Sequence, residues 1–221
     1  IKAFEKAKEI DPNCAFTYNN LGIAYGNLGR HQEAIEACKQ AIRINPDYAD
    51  AYCNLGTAYD SFGRYQDAIE ACKQAIIIKP DYAEAHVGLG NAYGNLGRYE
   101  EAIDCYKQAI RIKPDYAEAH NNLGFTYGKL GRHQEAVESY KQAIRIEPDL
   151  AEAHYNLGIA YGKLGRYQDE IESYKQAIRI KPNYAEAHYN LGVAYGKLSR
   201  YQDAVEAYKQ AIKIKPDDAD A

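Results

Sequence analysis

The chain has no methionine anywhere in its 221 residues, not even at its start. That absence marks it, as an expectation, as a processed product or a piece of something longer. No apolar run approaches the roughly 18 to 20 residues that span a bilayer, and no charged-then-apolar leader opens the chain, so no membrane insertion is expected. A basic excess is missing too. Lys and Arg number 27 against 31 Asp and Glu, for a formal charge of −4 and a pI near 5.9. Nucleic acid or an anionic bilayer would call for a positive field, so no nucleic-acid partner follows. The cysteines Cys14, Cys38, Cys53, Cys72 and Cys105 show no CxxC spacing. This removes the common zinc and redox motifs and points to a reducing, cytoplasmic setting. What remains, 46% hydrophobic and 26% charged, is the make-up of a folded globular protein.

Against these absences stands one feature that fills the chain. The seven prolines, Pro12, Pro46, Pro80, Pro114, Pro148, Pro182 and Pro216, recur every 34 residues, and the segments between them repeat as well. Six full periods cover 15–48, 49–82, 83–116, 117–150, 151–184 and 185–218. Residues 1–14 match the second half of a period and 219–221 the start of another, so one array over 1–221 is expected.

Each period reads as two helices. In the last, Asn183 and Glu186 predict a capping box at the start of helix A. His188, Leu191, Gly192 and Tyr195 then share a face through their i, i+3, i+4, i+7 spacing. Gly29, Gly63, Gly97, Gly131 and Gly165 break the pattern in five periods; Ser199 takes that place in the sixth and predicts a strained or reshaped turn. Helix B carries Ala204, Tyr208, Ala211 and Ile212 and ends before Pro216. Small residues form one column on helix A, Gly22 to Gly192, and one on helix B, Ala34 to Ala204, letting the two backbones approach. Glu170 stands in that Ala column, which predicts either a helix pair opened against Gly158 or a carboxylate that snorkels out. A hairpin cannot cover its own apolar face, so its neighbours must stack on it. The expected fold is an all-α solenoid of antiparallel helix pairs.

The pattern aromatic-x-x-Leu-Gly-x-x-Tyr, then Ala-x-x-x-aromatic, then Pro is carried by His188, Leu191, Gly192, Tyr195, Ala204, Tyr208 and Pro216. Tyr52, Leu55, Gly56, Tyr59, Ala68, Cys72 and Pro80 carry it again. It resembles the tetratricopeptide repeat (TPR), over essentially the whole chain. The resemblance implies a right-handed superhelix whose A helices line a concave groove for a protein or peptide partner. The repeat pattern itself argues against catalysis, which needs unlike groups to converge where a repeat spaces like groups apart. His86, His120, His154 and His188 form one column with rungs about 10 Å apart, too far to share a metal. They read as packing residues, and no metal or cofactor is expected. Cys38 and Cys72 read as buried, while Cys53 falls on the inner face and is the cysteine to test for reactivity.

Comparing the periods with one another separates scaffold from variable surface. Lys-Gln-Ala-Ile of helix B is identical from Lys39–Ile42 to Lys209–Ile212. Three helix A columns vary, and they share a face. One neighbouring column is nearly constant: Asn20, Asn54, Asn122, Asn156 and Asn190, interrupted by Gly88. An Asn amide can pair with both C=O and N–H of an extended chain, and the column resembles the asparagine ladder of peptide-holding TPR domains. The other reading is that each Asn bonds a neighbouring helix. In the C-terminal half, Asn121, Phe125, Lys129, Tyr155, Lys163, Tyr189 and Lys197 add aromatic and cationic candidates for docking. The lysines suit an acidic peptide, although Glu118, Glu152 and Glu186 would oppose one unless held as helix caps. Co-chaperone members of the family grip chaperone tails with basic residues where this chain has Asp50, Glu84, Glu118, Glu152 and Glu186, so no such tail should bind. The leading expectation is a non-enzymatic interaction scaffold. Alternatives are a substrate-recruiting arm of a larger enzyme, for example a glycosyltransferase, and end-to-end self-association, in which Ile1, Phe4, Ala7 and Ile10 would take part.

Overall fold

A computed structural model describes residue 6 and residues 11–216; the expected face of Ile1, Phe4, Ala7 and Ile10 and the partial period at 219–221 lie outside them. Among the described residues there are twelve α-helices and no strand. The A helices are α1 (Ala15–Asn27), α3 (Ala49–Ser61), α5 (Ala83–Asn95), α7 (Ala117–Lys129), α9 (Ala151–Lys163) and α11 (Ala185–Lys197). The B helices are α2 (His31–Ile44), α4 (Tyr65–Ile78), α6 (Tyr99–Ile112), α8 (His133–Ile146), α10 (Tyr167–Ile180) and α12 (Tyr201–Ile214). The chain forms two compact units, Ile1–Pro114 and Asp115–Ala221, each holding three helix pairs. Within each unit every A helix packs antiparallel on the B helix that follows it, and that B helix packs on the next A helix.

The turn inside each pair follows from its sequence. Gly29 takes φ +72°, the left-handed conformation that costs Gly no Cβ clash. Its N–H donates to Gly26 O at 2.9 Å while Arg30 N–H donates to Tyr25 O at 2.9 Å, the paired bonds of a Schellman stop. Ser199 adopts the same conformation at φ 58° with the same two bonds, so the sixth turn keeps its shape and Ser199 bears the strain. The Arg after the turn then clamps the next helix. Arg64 donates to Asp67 at 2.7 Å and lies 4.6 Å over the Tyr59 ring, and Arg30, Arg98, Arg132, Arg166 and Arg200 repeat this arrangement.

The expected capping box does not form. Tyr184 occupies the N-cap of α11 without a side-chain cap bond, and Glu186 instead accepts a hydrogen bond from Lys215 Nζ at 2.6 Å. A charge-assisted bond to a cation beyond the end of the next helix outcompetes the local bond to the backbone.

Helix approach within a pair is set by a column the alanines only flank. A Cβ on Gly22 or Gly56 would meet Cys38 or Cys72 Sγ at 2.5 Å, and one on Gly158 would meet the Tyr174 ring at 2.6 Å. Glu170 therefore does not oppose Gly158. It lies over Gly162, is 4% exposed, and receives Lys197 Nζ on both oxygens at 3.2 Å. The carboxylate neither snorkels out nor opens the pair, because the next A helix brings it a cation. The histidine column packs as expected: Nε2 of His86, His154 and His188 lies 3.0 to 3.2 Å from the carbonyl oxygens of Pro80, Pro148 and Pro182.

Candidate functional site

The helix A face differs between the two units, and the reason lies in one column. In the first unit Asn19, Cys53 and Val87 are small and buried, and α1, α3 and α5 pack directly on one another. The corresponding residues of the second unit are Asn121, Tyr155 and Tyr189, and α7 touches α9 less closely. At that contact Asn121 matches Asn19, and Tyr155 in place of Cys53 is the larger side chain that keeps α7 and α9 apart, as overpacking does in a core.

The asparagine column divides as well, but within each unit rather than between them. Asn20 Nδ2 donates to Phe16 O of its own helix at 2.9 Å, and Asn54 Nδ2 to Asn19 Oδ1 at 2.9 Å. Asn190 Nδ2 donates to Tyr155 Oη at 2.9 Å, and Asn122 Oδ1 accepts from Asn121 Nδ2 at 3.5 Å. Asn54 and Asn190 thus bridge successive A helices. Asn156 makes no hydrogen bond among the described residues, and it faces a cleft.

That cleft, about 240 Å³, lies between α7, α8 and α9. It brings together four candidates from the sequence, Phe125, Lys129, Asn156 and Lys163, and adds Ile159 and Tyr140. No Asp or Glu lines it. Lys129 Nζ sits 5.0 Å over the Phe125 ring, a cation–π contact that leaves its ammonium at the surface. Lys163 has no ionic partner among the described residues. Burial pushes the Tyr140 phenol far above its ordinary value, so it serves as a neutral, apolar floor.

The other candidates are placed elsewhere. Tyr155 stacks on Tyr174 and Tyr184 at 5.8 and 4.9 Å. Tyr189 is exposed, with its ring 5.5 Å from that of Tyr208. Lys197 is engaged by Glu170 and lies 5.0 Å over Tyr167, and Asn121 keeps a buried Oδ1 without a partner. Cys53 is not an accessible thiol: it is 6% exposed, and burial pushes its pKa up to about 11. The Glu170–Lys197 pair and the Tyr140 floor were not foreseen. Glu170 did stand out as the one acid in an Ala column, but its partner lies 27 residues on, beyond any local spacing rule. No cluster of three or more His, Cys, Asp or Glu among the described residues could hold a metal ion. No described helix is long and apolar enough to cross a membrane.

No curated protein matches the chain. Among solved structures it is similar to MamA, at 28% identity and TM-score 0.69, over 76% of this chain and 98% of that one. It is also similar to YrrB, described as a TPR protein with an unusual peptide-binding site, at 26% identity and TM-score 0.67, over 83% and 94%. TTC0263, a thermophilic TPR protein of Thermus thermophilus, aligns at 26% identity and TM-score 0.70, over 82% and 98%. Residues 5–221 match the family described as Cilia and flagella-associated protein 70 C-terminal domain. With its period, its helix pairs and this match in agreement, the chain is a TPR protein and belongs to that family.

Proposed function

We propose that the chain is a non-catalytic interaction scaffold that holds an extended peptide or partner surface on the helix A side of the second unit. The observation that carries this reading is the cleft at Asn156. Its amide offers one acceptor and two donors to a ligand backbone. Phe125, Ile159 and Tyr140 shape an apolar seat the size of one side chain, and Lys129 and Lys163 favour a neighbouring carboxylate. YrrB, whose description includes a peptide-binding site, supports the reading by likeness. A single amide bond contributes about 0.5 to 1.5 kcal/mol net, against an association cost of about 4 to 15 kcal/mol. Affinity must therefore come mainly from the apolar seat and the two lysines. Four buried, unpaired thiols suit a reducing, cytoplasmic setting.

The test separates a ligand contact from a structural bond rung by rung. Short fluorescent peptides bearing one aromatic residue beside Asp or Glu are titrated against the chain. Asn156→Ala should weaken binding by about 2- to 10-fold, the equivalent of one net hydrogen bond, without a change in melting temperature. Asn54→Ala should lower the melting temperature and leave affinity alone. A drop in stability for Asn156→Ala with unaltered affinity would remove the assignment.

Self-association is a second reading, favoured by the outer face of α12, where Tyr201, Val205 and Ile212 are exposed.

A further inference from the structure

The six periods serve as controls for one another, and one position in the first unit breaks their agreement. Arg43, Arg111, Arg145, Arg179 and Lys213 share a column of helix B in which the second repeat carries Ile77. Ile77 is 69% exposed, more than any other large hydrophobic side chain described. A long cation at this place can lay its stem on the surface and keep its head in water. In the first repeat Arg43 Nη1 donates to Gln40 Oε1 at 2.9 Å. Isoleucine offers apolar surface alone.

Ile77 extends a groove of about 470 Å³, with a floor of Tyr52, Leu55 and Tyr59 from α3 and one wall of α4. The equivalent groove of the first repeat holds about 270 Å³ and stops short of Arg43. At 100° per residue the floor residues lie roughly 100° to 160° round α3 from Cys53 and Thr57, so this groove opens on a different face from the helix A stripe. Over its floor Arg64 and Lys39 lie 4.6 and 5.9 Å from the Tyr59 ring, and one carboxylate of its wall stays open to an added cation. Of the charged residues in its wall, Asp67 is held by Arg64 at 2.7 Å, and Lys73 sends its ammonium to 5.9 Å from the Tyr93 ring. Glu70 is exposed and has no partner among the described residues. Exchange of the column's cation for Ile77 leaves an apolar end and an anionic end. They are seven residues apart, about 10 Å along α4.

We propose that this groove is a second docking site, for an amphipathic helix of a partner protein that carries an apolar residue and a Lys or Arg seven positions apart. Such a helix presents both side chains on one face at that spacing, and two antiparallel helices form the trough into which a third packs. The site lies on a different face of α3 from Asn54 and shares no residue with the peptide cleft.

A fluorescein-labelled synthetic helix with Leu and Lys seven positions apart, titrated by anisotropy against the full chain, tests the assignment. A second helix with Glu in place of Lys is the control. Saturable binding of the basic helix is expected, weakened about thirtyfold or more by Ile77→Arg, a loss of hot-spot size. Glu70→Gln should weaken it several-fold and flatten its salt dependence. The acidic helix should not bind. Ile77→Arg only restores the residue its sister repeats carry, and an unchanged melting curve will show that it folds. Equal binding to Ile77→Arg, equal binding of the acidic helix, or no saturation would overturn the proposal. So would wild-type self-association that Ile77→Arg abolishes while the basic helix fails to compete, since the occupant would then be a second copy of the chain.

Discussion

A carboxylate at 4% exposure requires a cation, and Glu170 has Lys197 of the next A helix, which bonds both its oxygens. The two partners should respond differently to removal. Lys197→Met strands the buried charge and should cost about 3 kcal/mol, the lower end of the range for a broken buried pair because the ammonium keeps access to water. Glu170→Ala restores the residue of the sister repeats and leaves a lysine that can turn to solvent, so it should be near neutral. Urea unfolding of the two single variants and the double variant measures both. The thiols divide as sharply. The Thr17 hydroxyl bonded to Cys14 holds that thiol below its ordinary value, so more of it is thiolate near neutral pH. Burial pushes Cys38 and Cys105 up to about 12 and Cys53 up to about 11, which keeps them protonated, and raises Cys72 further still. With Ellman's reagent at a pH of about 7.5, below the ordinary thiol range, one thiol should react fast, Cys14→Ser should abolish that phase, and the four buried thiols should react only as the chain unfolds.

Helix pairs depend on their turns, and the sixth turn is the strained one. Ser199 at φ 58° bears a Cβ where five repeats place Gly. Ser199→Gly should therefore stabilise by about 1 kcal/mol, from a left-handed penalty of about 1 to 2 kcal/mol partly offset by added freedom in the unfolded chain. Thermal unfolding should show the melting temperature rising by about 2 to 4 °C for a chain of this size. The helices were legible in the sequence because proline and glycine punctuate each period and the apolar spacing between them admits one period only. The turn strain at Ser199 was legible for the same reason. Helix starts were not, because Asn183 and Glu186 satisfy a local rule that Lys215 overrides from 29 residues away. The variable stripe of helix A could be drawn from the sequence as a stripe. Which asparagine stays unengaged could not, because it depends on how far Tyr155 holds neighbouring helices apart.

In the molecule as a whole, the turn and its Arg clamp recur every 34 residues, and the last described helix, α12, leaves Tyr201, Val205 and Ile212 exposed. An exposed apolar face of this kind invites contact between copies of the chain. Sedimentation across a hundredfold concentration range should show association, and Val205→Glu should reduce it; a strict monomer throughout would count against this reading. Repetition also creates a problem of addressing. Since Lys-Gln-Ala-Ile recurs in every B helix, a folding hairpin that slips by one or more periods meets surfaces almost the same as its own. Glu170 penalises most of those errors. Placed against the A helices of the first three periods it would face Asn27, Ser61 or Asn95, none of which can neutralise a buried carboxylate. The one acid in a column of alanines thus works as a key cut for three C-terminal locks, Lys129, Lys163 and Lys197, confining its hairpin to that half of the series.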